Sequence, residues 1–303
     1  MCKTKHRLLL FAFAFVLTAT QTGWAQESKF AKLDGARVHY LNYGKGNEAL
    51  VLIHGWSQNA DAWRDNVTDL AKRARVIVVE LPGHGQSDKP EAKGKAERAK
   101  SESNNYSLYS MDHFARAVDA VMRDAKVKRA VLVGHSMGTP VARQFYRKYP
   151  EKTIGIVIVD GSLRPFGDKA MIDQLMTGFR GPQYREAVSQ MMGFIGGPNL
   201  SAETKQRINS ASMNAPQYVL VSAFAGMLDN SIWAEDKINV PVLAIMAKTA
   251  LLPPNAEESF RAIAPKLEFQ MFDGVGHFLM MEKPQEFDTA VIRWLDQNNL
   301  LKK

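Results

Sequence analysis

The sequence predicts an α/β protein: a mainly parallel sheet with helices on both faces and a helical cap inserted between two of its strands. Three observations lead there. Short apolar, β-branched runs alternate with longer helix-like segments along most of the 303 residues. A G-x-S-x-G stretch, Gly134-His135-Ser136-Met137-Gly138, falls between one such run and one such segment. A long interruption over residues 162–238 has helical periodicity only.

Residues 1–25 stand apart from the rest. Lys3, Lys5 and Arg7 precede the apolar run Leu8 to Leu17, and Gly23-Trp24-Ala25 ends on the small residue a signal peptidase requires. They are expected to form a secretory signal cleaved after Ala25, giving an exported protein, periplasmic or secreted. The run is shorter than the roughly twenty residues that span a bilayer, so an uncleaved anchor is the weaker alternative. No later segment is apolar enough to span. The single cysteine, Cys2, lies in the signal, so the expected mature chain from Gln26 onward has no thiol for disulfides or for nucleophilic catalysis.

The chain carries 39 Lys plus Arg against 31 Asp plus Glu, a net charge of +8. Removing Lys3, Lys5 and Arg7 leaves 36 against 31, a net of +5, so part of the basicity belongs to the signal. No basic stretch is interleaved with aromatics, which argues against a nucleic-acid partner. Nothing demands a protein partner, and oligomeric state is not legible.

The predicted strands, in order, are Val38 to Tyr43, Ala49 to Ile53, Arg75 to Glu80, Ala130 to Val133, Ile154 to Val159, Val242 to Met246 and Leu267 to Phe272. The predicted helices are Ala60 to Lys72, Met111 to Ala125, Met137 to Lys148, Ala256 to Ile263 and Pro284 to Asn298. The core therefore spans 26–161 and 239–303, with the cap at 162–238. In the cap, Met171, Ile172, Leu175, Met176 and Phe179, then Val188, Met191, Met192, Phe194 and Ile195, recur at helical spacing. They either line an adaptable pocket or simply pack the cap onto the core. Lys89 to Asn105 has almost nothing apolar and reads as an exposed loop. Gly44-Lys45-Gly46-Asn47-Glu48-Ala49 has the glycines of a dinucleotide fingerprint, but it leads into a strand rather than a helix and is read as a hairpin turn. There is no H-E-x-x-H, cysteine cluster or Walker loop, hence no expected metal or cofactor.

A bare G-x-S-x-G arises by chance in roughly one chain in ten of this length, so its flanks decide its meaning. The buried-strand run Arg129-Ala130-Val131-Leu132-Val133 precedes it and a helix-like segment follows, which holds the Ser136 hydroxyl at a sharp turn beside helix N-terminal N–H groups. The alternative is a tight glycine turn with an incidental serine. A serine hydroxyl needs a positioned base to attack a carbonyl near neutral pH. His277, in Asp273-Gly274-Val275-Gly276-His277-Phe278, is the only histidine after Ser136 and follows the last predicted strand. The backbone N–H groups of Trp56 and Met137 are the expected oxyanion donors, since Leu50 to Ile53 breaks at His54-Gly55-Trp56. The Trp56 ring is expected to line the pocket. His54, His84 and His135 are expected to be structural, bonding locally in their turns.

With His54-Gly55-Trp56, Leu81-Pro82-Gly83-His84-Gly85-Gln86-Ser87-Asp88, the Ser136 stretch, Gly276-His277-Phe278 and Glu282-Lys283-Pro284 in this order, the chain resembles the α/β-hydrolases over nearly all of its mature length. The resemblance implies an eight-stranded sheet, a Ser-acid-His triad, an acyl-enzyme intermediate and a cap that shapes substrate choice. One departure stands out. Most relatives carry the acid in a G-x-x-D pattern after the strand that follows the cap, and the matching stretch here is Ala247-Lys248-Thr249-Ala250. Asp160, in Val157-Ile158-Val159-Asp160-Gly161-Ser162, is the expected substitute, because a subgroup of capped relatives takes its acid from this strand. Glu257, Glu258 and Asp273 are the alternatives, as is a dyad without an acid.

The expected activity is hydrolysis of an ester, thioester or lactone of a small to medium apolar acid, a small-molecule substrate. The same triad serves carbon-carbon bond hydrolysis, aminopeptidase or perhydrolase chemistry in similar proteins. A non-catalytic ligand-binding protein on a hydrolase scaffold is the reading of another class, supported by the vacant position at Ala250.

Overall fold

The structure is a computed structural model that describes residues 26–91, 108–197 and 199–301. The expected signal, residues 1–25, and most of the charged segment 89–105 lie outside the described residues. Eight strands are formed: β1 (Glu27–Leu33), β2 (Ala36–Tyr43), β3 (Glu48–Ile53), β4 (Val76–Val79), β5 (Arg129–His135), β6 (Thr153–Val159), β7 (Val242–Ala247) and β8 (Leu267–Phe272). They make one sheet in the order β1-β2-β4-β3-β5-β6-β7-β8. β2 runs antiparallel to both neighbours, and β3 to β8 are mutually parallel.

The helices are α1 (Val67–Arg73), α2 (Met111–Asp124), α3 (Gly138–Lys148), α4 (Lys169–Arg180), α5 (Tyr184–Ile195), α6 (Ala202–Asn214), α7 (Gln217–Met227), α8 (Ala256–Ile263), α9 (Leu279–Glu282) and α10 (Pro284–Gln297). α2 and α3 pack together on one face of the sheet, while α1 and α10 pack on the other. With both faces covered, the central strands must be apolar throughout. Val76–Val79 is fully buried, as is every residue of β3 after Glu48.

The sequence reading missed β1, an edge strand in which only Ala31 and Leu33 are buried. Its signal was the turn that follows. Asp34 and Gly35 both have positive φ, 48° and 85°, the geometry of a two-residue hairpin. The hairpin expected at Gly44 to Ala49 is not one, because β4 lies between β2 and β3 and the segment instead crosses to a non-adjacent position. The predicted helix Ala60 to Lys72 is broken into a 3-10 turn, Ala60–Trp63, and α1. The break places the buried Asn66 side chain in tertiary contact, its Nδ2 donating to Met280 O and to Asp288 Oδ1, each at 3.1 Å.

Between β6 and β7 the chain forms α4 to α7. Asp168 caps α4 by accepting the Met171 N–H at 2.8 Å, and Ser201 caps α6 by accepting the Thr204 N–H at 3.0 Å. Both stems of this insertion are tied to α3. The buried Arg143 donates to Leu163 O at 2.9 Å and to Ala234 O, while Arg147 pairs with Asp236 and donates to Ile232 O at 2.8 Å. One helix, the one that follows Ser136, thus anchors the entry and the exit of the insertion.

Candidate active site

Four carboxyl ends of the sheet converge, and each carries one of the residues singled out in the sequence. Ser136 directly follows β5, Asp160 directly follows β6, Trp56 lies just after β3, and His277 lies between β8 and α9. In the sheet order β3, β5 and β6 are immediate neighbours, and β8 is two strands from β6. In a parallel sheet these ends open into a crevice that the strands themselves cannot fill.

Two of these residues hold a backbone conformation that L-residues seldom adopt. Ser136 has φ 51° and Asp160 has φ 41°. Each costs about 1–3 kcal/mol and persists only because the surroundings fix it. Ser136 N–H bonds Val159 O at 3.0 Å, and Thr139 N–H bonds Ser136 O at 2.9 Å, closing the turn. The Ser136 hydroxyl stands without a hydrogen-bond partner among the described residues, at the head of α3.

Asp160 is doubly engaged. Its Oδ2 accepts from His277 Nδ1 at 2.7 Å, and its Oδ1 accepts the Ala247 N–H at 2.8 Å. The Asp160 N–H in turn bonds Ile245 O at 2.9 Å. With Nδ1 donating to the carboxylate, Nε2 of His277 is the ring nitrogen left with a lone pair. The other acidic candidates do not reach His277: Asp273 pairs with Lys248 at 3.0 Å, Glu257 pairs with Arg261 at 2.8 Å, and Glu258 is exposed.

The main chain of His277 is itself held from three sides. His277 N–H donates to Ile195 O at the end of α5, 3.0 Å away. Its carbonyl accepts from His135 Nε2 at 2.8 Å, and the preceding Gly276 N–H donates to Glu282 Oε1 at 2.8 Å. The His135 bond corrects the expectation of a local role, since it spans 142 positions in the chain. Burial pushes the His135 imidazole well below its ordinary pKa, so the ring is neutral and donates from Nε2. His84 bonds locally, through Nδ1 to Pro82 O, whereas His54 bonds Gly55 O through Nδ1 and also accepts the Leu81 N–H at Nε2, 3.1 Å away and 27 positions along the chain, so the expectation of a purely local role is corrected for it too. Burial lowers His54 to about 4 and His84 to about 3.

The loop after β3 lies against the Ser136 turn. A Cβ on Gly55 would fall 2.8 Å from His135 Nδ1 and 3.1 Å from Ser136 Cβ, so any side chain there would displace the His135 ring or the Ser136 turn. Neither Trp56 N–H nor Met137 N–H donates a hydrogen bond among the described residues. The Trp56 ring, expected to line a pocket, is buried: its indole N–H donates to Leu220 O at 2.8 Å, and it packs against Phe179 and Phe224. Next to it, buried Ser57 and Gln58 bond Ser212 Oγ at 2.8 and 3.0 Å. Sequence reading missed this polar link between the loop and α6, because Ser212 carries no signal beyond a small polar residue in a helix.

A sequence model of the alpha/beta hydrolase fold matches residues 48–284, and the chain belongs to that family. It is 27% identical to a 2-hydroxy-6-oxononadienedioate/2-hydroxy-6-oxononatrienedioate hydrolase of Paraburkholderia phymatum, over 92% of this chain and 99% of that one. It is 25% identical to a pimeloyl-[acyl-carrier protein] methyl ester esterase of Vibrio campbellii, over 84% and 96%. Among solved structures, a thermophilic esterase is similar at 25% identity and a TM-score of 0.68, covering 90% of this chain and 99% of that chain.

Proposed function

We propose that this chain is an exported serine hydrolase that cleaves an ester, thioester or lactone of a small to medium apolar acid through an acyl-enzyme intermediate. The observation that carries the reading is the bond of 2.7 Å between His277 Nδ1 and Asp160 Oδ2, one strand from a serine held at φ 51°. The esterases among its similar proteins support it. The charged n-region and small-residue cleavage site of residues 1–25 support export.

Ser136 Oγ attacks the acyl carbon while His277 Nε2 takes its proton, and the imidazolium that forms is held by Asp160. Hydrogen bonds of this kind often close only when substrate is bound, which fits a Ser136 hydroxyl that is unpaired beforehand. The N–H groups of Trp56 and Met137 bind the oxyanion, each worth about 3–4 kcal/mol in the transition state. His277 then returns the proton to the leaving group, and a water activated by the same nitrogen releases the acid.

The test is to treat the protein from Gln26 onward with a fluorophosphonate probe and map the modified peptide. Labelling at Ser136, lost in His277→Ala and followed by turnover on a panel of esters, is expected. A folded protein that is not labelled would overturn the reading in favour of ligand binding without catalysis. The panel includes a 2-hydroxy-6-oxo diacid, because a relative matching 99% of its own length is named as a hydrolase of such compounds.

A further inference from the structure

Glu282 closes α9, five residues beyond His277, and its carboxylate turns back onto the loop that carries His277. Its Oε1 accepts the Gly276 N–H at 2.8 Å. Its Oε2 is buried and has no hydrogen-bond partner among the described residues. A Cβ on Gly197, just past α5, would fall 2.0 Å from that oxygen, so the carboxylate sits directly on Gly197. Gly276 is equally close to the insertion, since a Cβ there would lie 2.3 Å from Gly197 N. Three segments therefore meet at one carboxylate: the His277 loop, the end of α5 and α9.

Leaving a buried carboxylate oxygen unpaired is costly, and an apolar side chain would fill the same space without that cost. Burial and the nearby Asp160 both push the Glu282 carboxyl up, while Lys283 lowers it. Against these penalties the one hydrogen bond the Glu282 carboxylate makes among the described residues is to the peptide that enters His277.

We propose that Glu282 is a positioning residue for His277: its Oε1 fixes the Gly276 peptide, and its Oε2 spaces Gly197, so that the imidazole is set at one height relative to Asp160. The proposal rests on the hydrolase reading for its catalytic meaning, but the anchor itself can be measured without turnover.

The test compares Glu282→Gln, which keeps the reach and an acceptor oxygen without the charge, with Glu282→Asp, which keeps the charge but withdraws it by one methylene. The readouts are amide hydrogen exchange at Gly276 and His277, thermal stability, and kcat and KM on whichever ester turns over fastest. Exchange at Gly276 is expected to be slow in the wild type and in Glu282→Gln, and at least tenfold faster in Glu282→Asp. On the ester, kcat is expected within about threefold of wild type for Gln and about 10- to 100-fold lower for Asp, with KM nearly unchanged, as for a small misplacement of the base. Equal exchange at Gly276 in all three proteins would overturn the anchor whatever the activity. An active Asp variant beside an inactive Gln variant would overturn positioning in favour of a charge effect. A fall in melting temperature with kcat unchanged would reduce Glu282 to a structural role. Failure of the wild type to react with fluorophosphonate would count against the hydrolase reading alone, and the exchange rates would still decide the anchor.

Discussion

Asp160 Oδ1 accepts the N–H of Ala247, the last residue of β7, at 2.8 Å. The strand that leads to the vacant position at Ala250 thus supplies, from its last residue, a main-chain donor to the carboxylate that follows the strand beside it. Asp160→Asn is expected to lower kcat by about 10⁴-fold on the fastest ester, because an amide neither fixes the imidazole tautomer nor compensates the imidazolium. Fluorophosphonate reactivity should fall in parallel. Ala250→Asp in the wild-type background is expected to leave kcat within about threefold, since His277 Nδ1 is already engaged. Steady-state kinetics on the two variants measure both.

Gly55→Ala should separate stability from activity. The added methyl would meet His135 Nδ1 at 2.8 Å and Ser136 Cβ at 3.1 Å. Overpacking of this size costs about 1–3 kcal/mol, which the fold can absorb. The displacement falls on the Ser136 turn, so on the serine-hydrolase proposal kcat should drop about 100-fold while the circular dichroism spectrum is unchanged.

His135→Phe keeps a ring beside His277 and removes the donor to its carbonyl. We expect kcat to fall about tenfold. Because burial keeps His135 neutral, the deficit should be the same at pH 6 as at pH 9. A deficit that grows toward low pH would show that His135 titrates.

The carboxyl of Asp288 gives a pH-dependent prediction for stability. Burial pushes it up to about 7 from 3.8, although the Asn66 bond lowers it. A carboxyl raised in the folded state binds its proton more tightly there than in the unfolded chain, so its contribution is fully present below about pH 4. It is lost as pH rises through about 7. Asn66 Oδ1 and Asp288 Oδ2 are both buried acceptors without partners among the described residues. Asp288→Asn replaces one with a donor and removes the charge. The melting temperature should rise by about 2–5 °C at pH 8, with the gain shrinking toward pH 4. Thermal scans across that range measure it.

The strands that run parallel were legible because burial on both faces forces continuous apolar runs, as in Leu50 to Ile53. β1 was not, since an edge strand such as Glu27–Leu33 is selected for charge as much as for packing. Ser136 and His277 could be singled out as candidates because the flanking glycines and strand ends leave a local imprint. Asp160 could be proposed from its place after a strand, but the bond to His277 and the support from Ala247 are tertiary facts. His135, Ser212 and the Ile195 carbonyl had no signature at all, because their partners lie far away in sequence and any small or ring side chain looks alike there.

The bond from His277 N–H to Ile195 O has a practical consequence for anyone exchanging the insertion between β6 and β7 among these proteins. A donor segment grafted in place of residues 162–238 brings not only new side chains but a new main-chain partner for His277. Chimeras that match the pocket and ignore that single carbonyl should recognise their intended compounds and turn them over poorly. Designs that keep the backbone from Ile195 to Gly197 intact should inherit specificity and rate together.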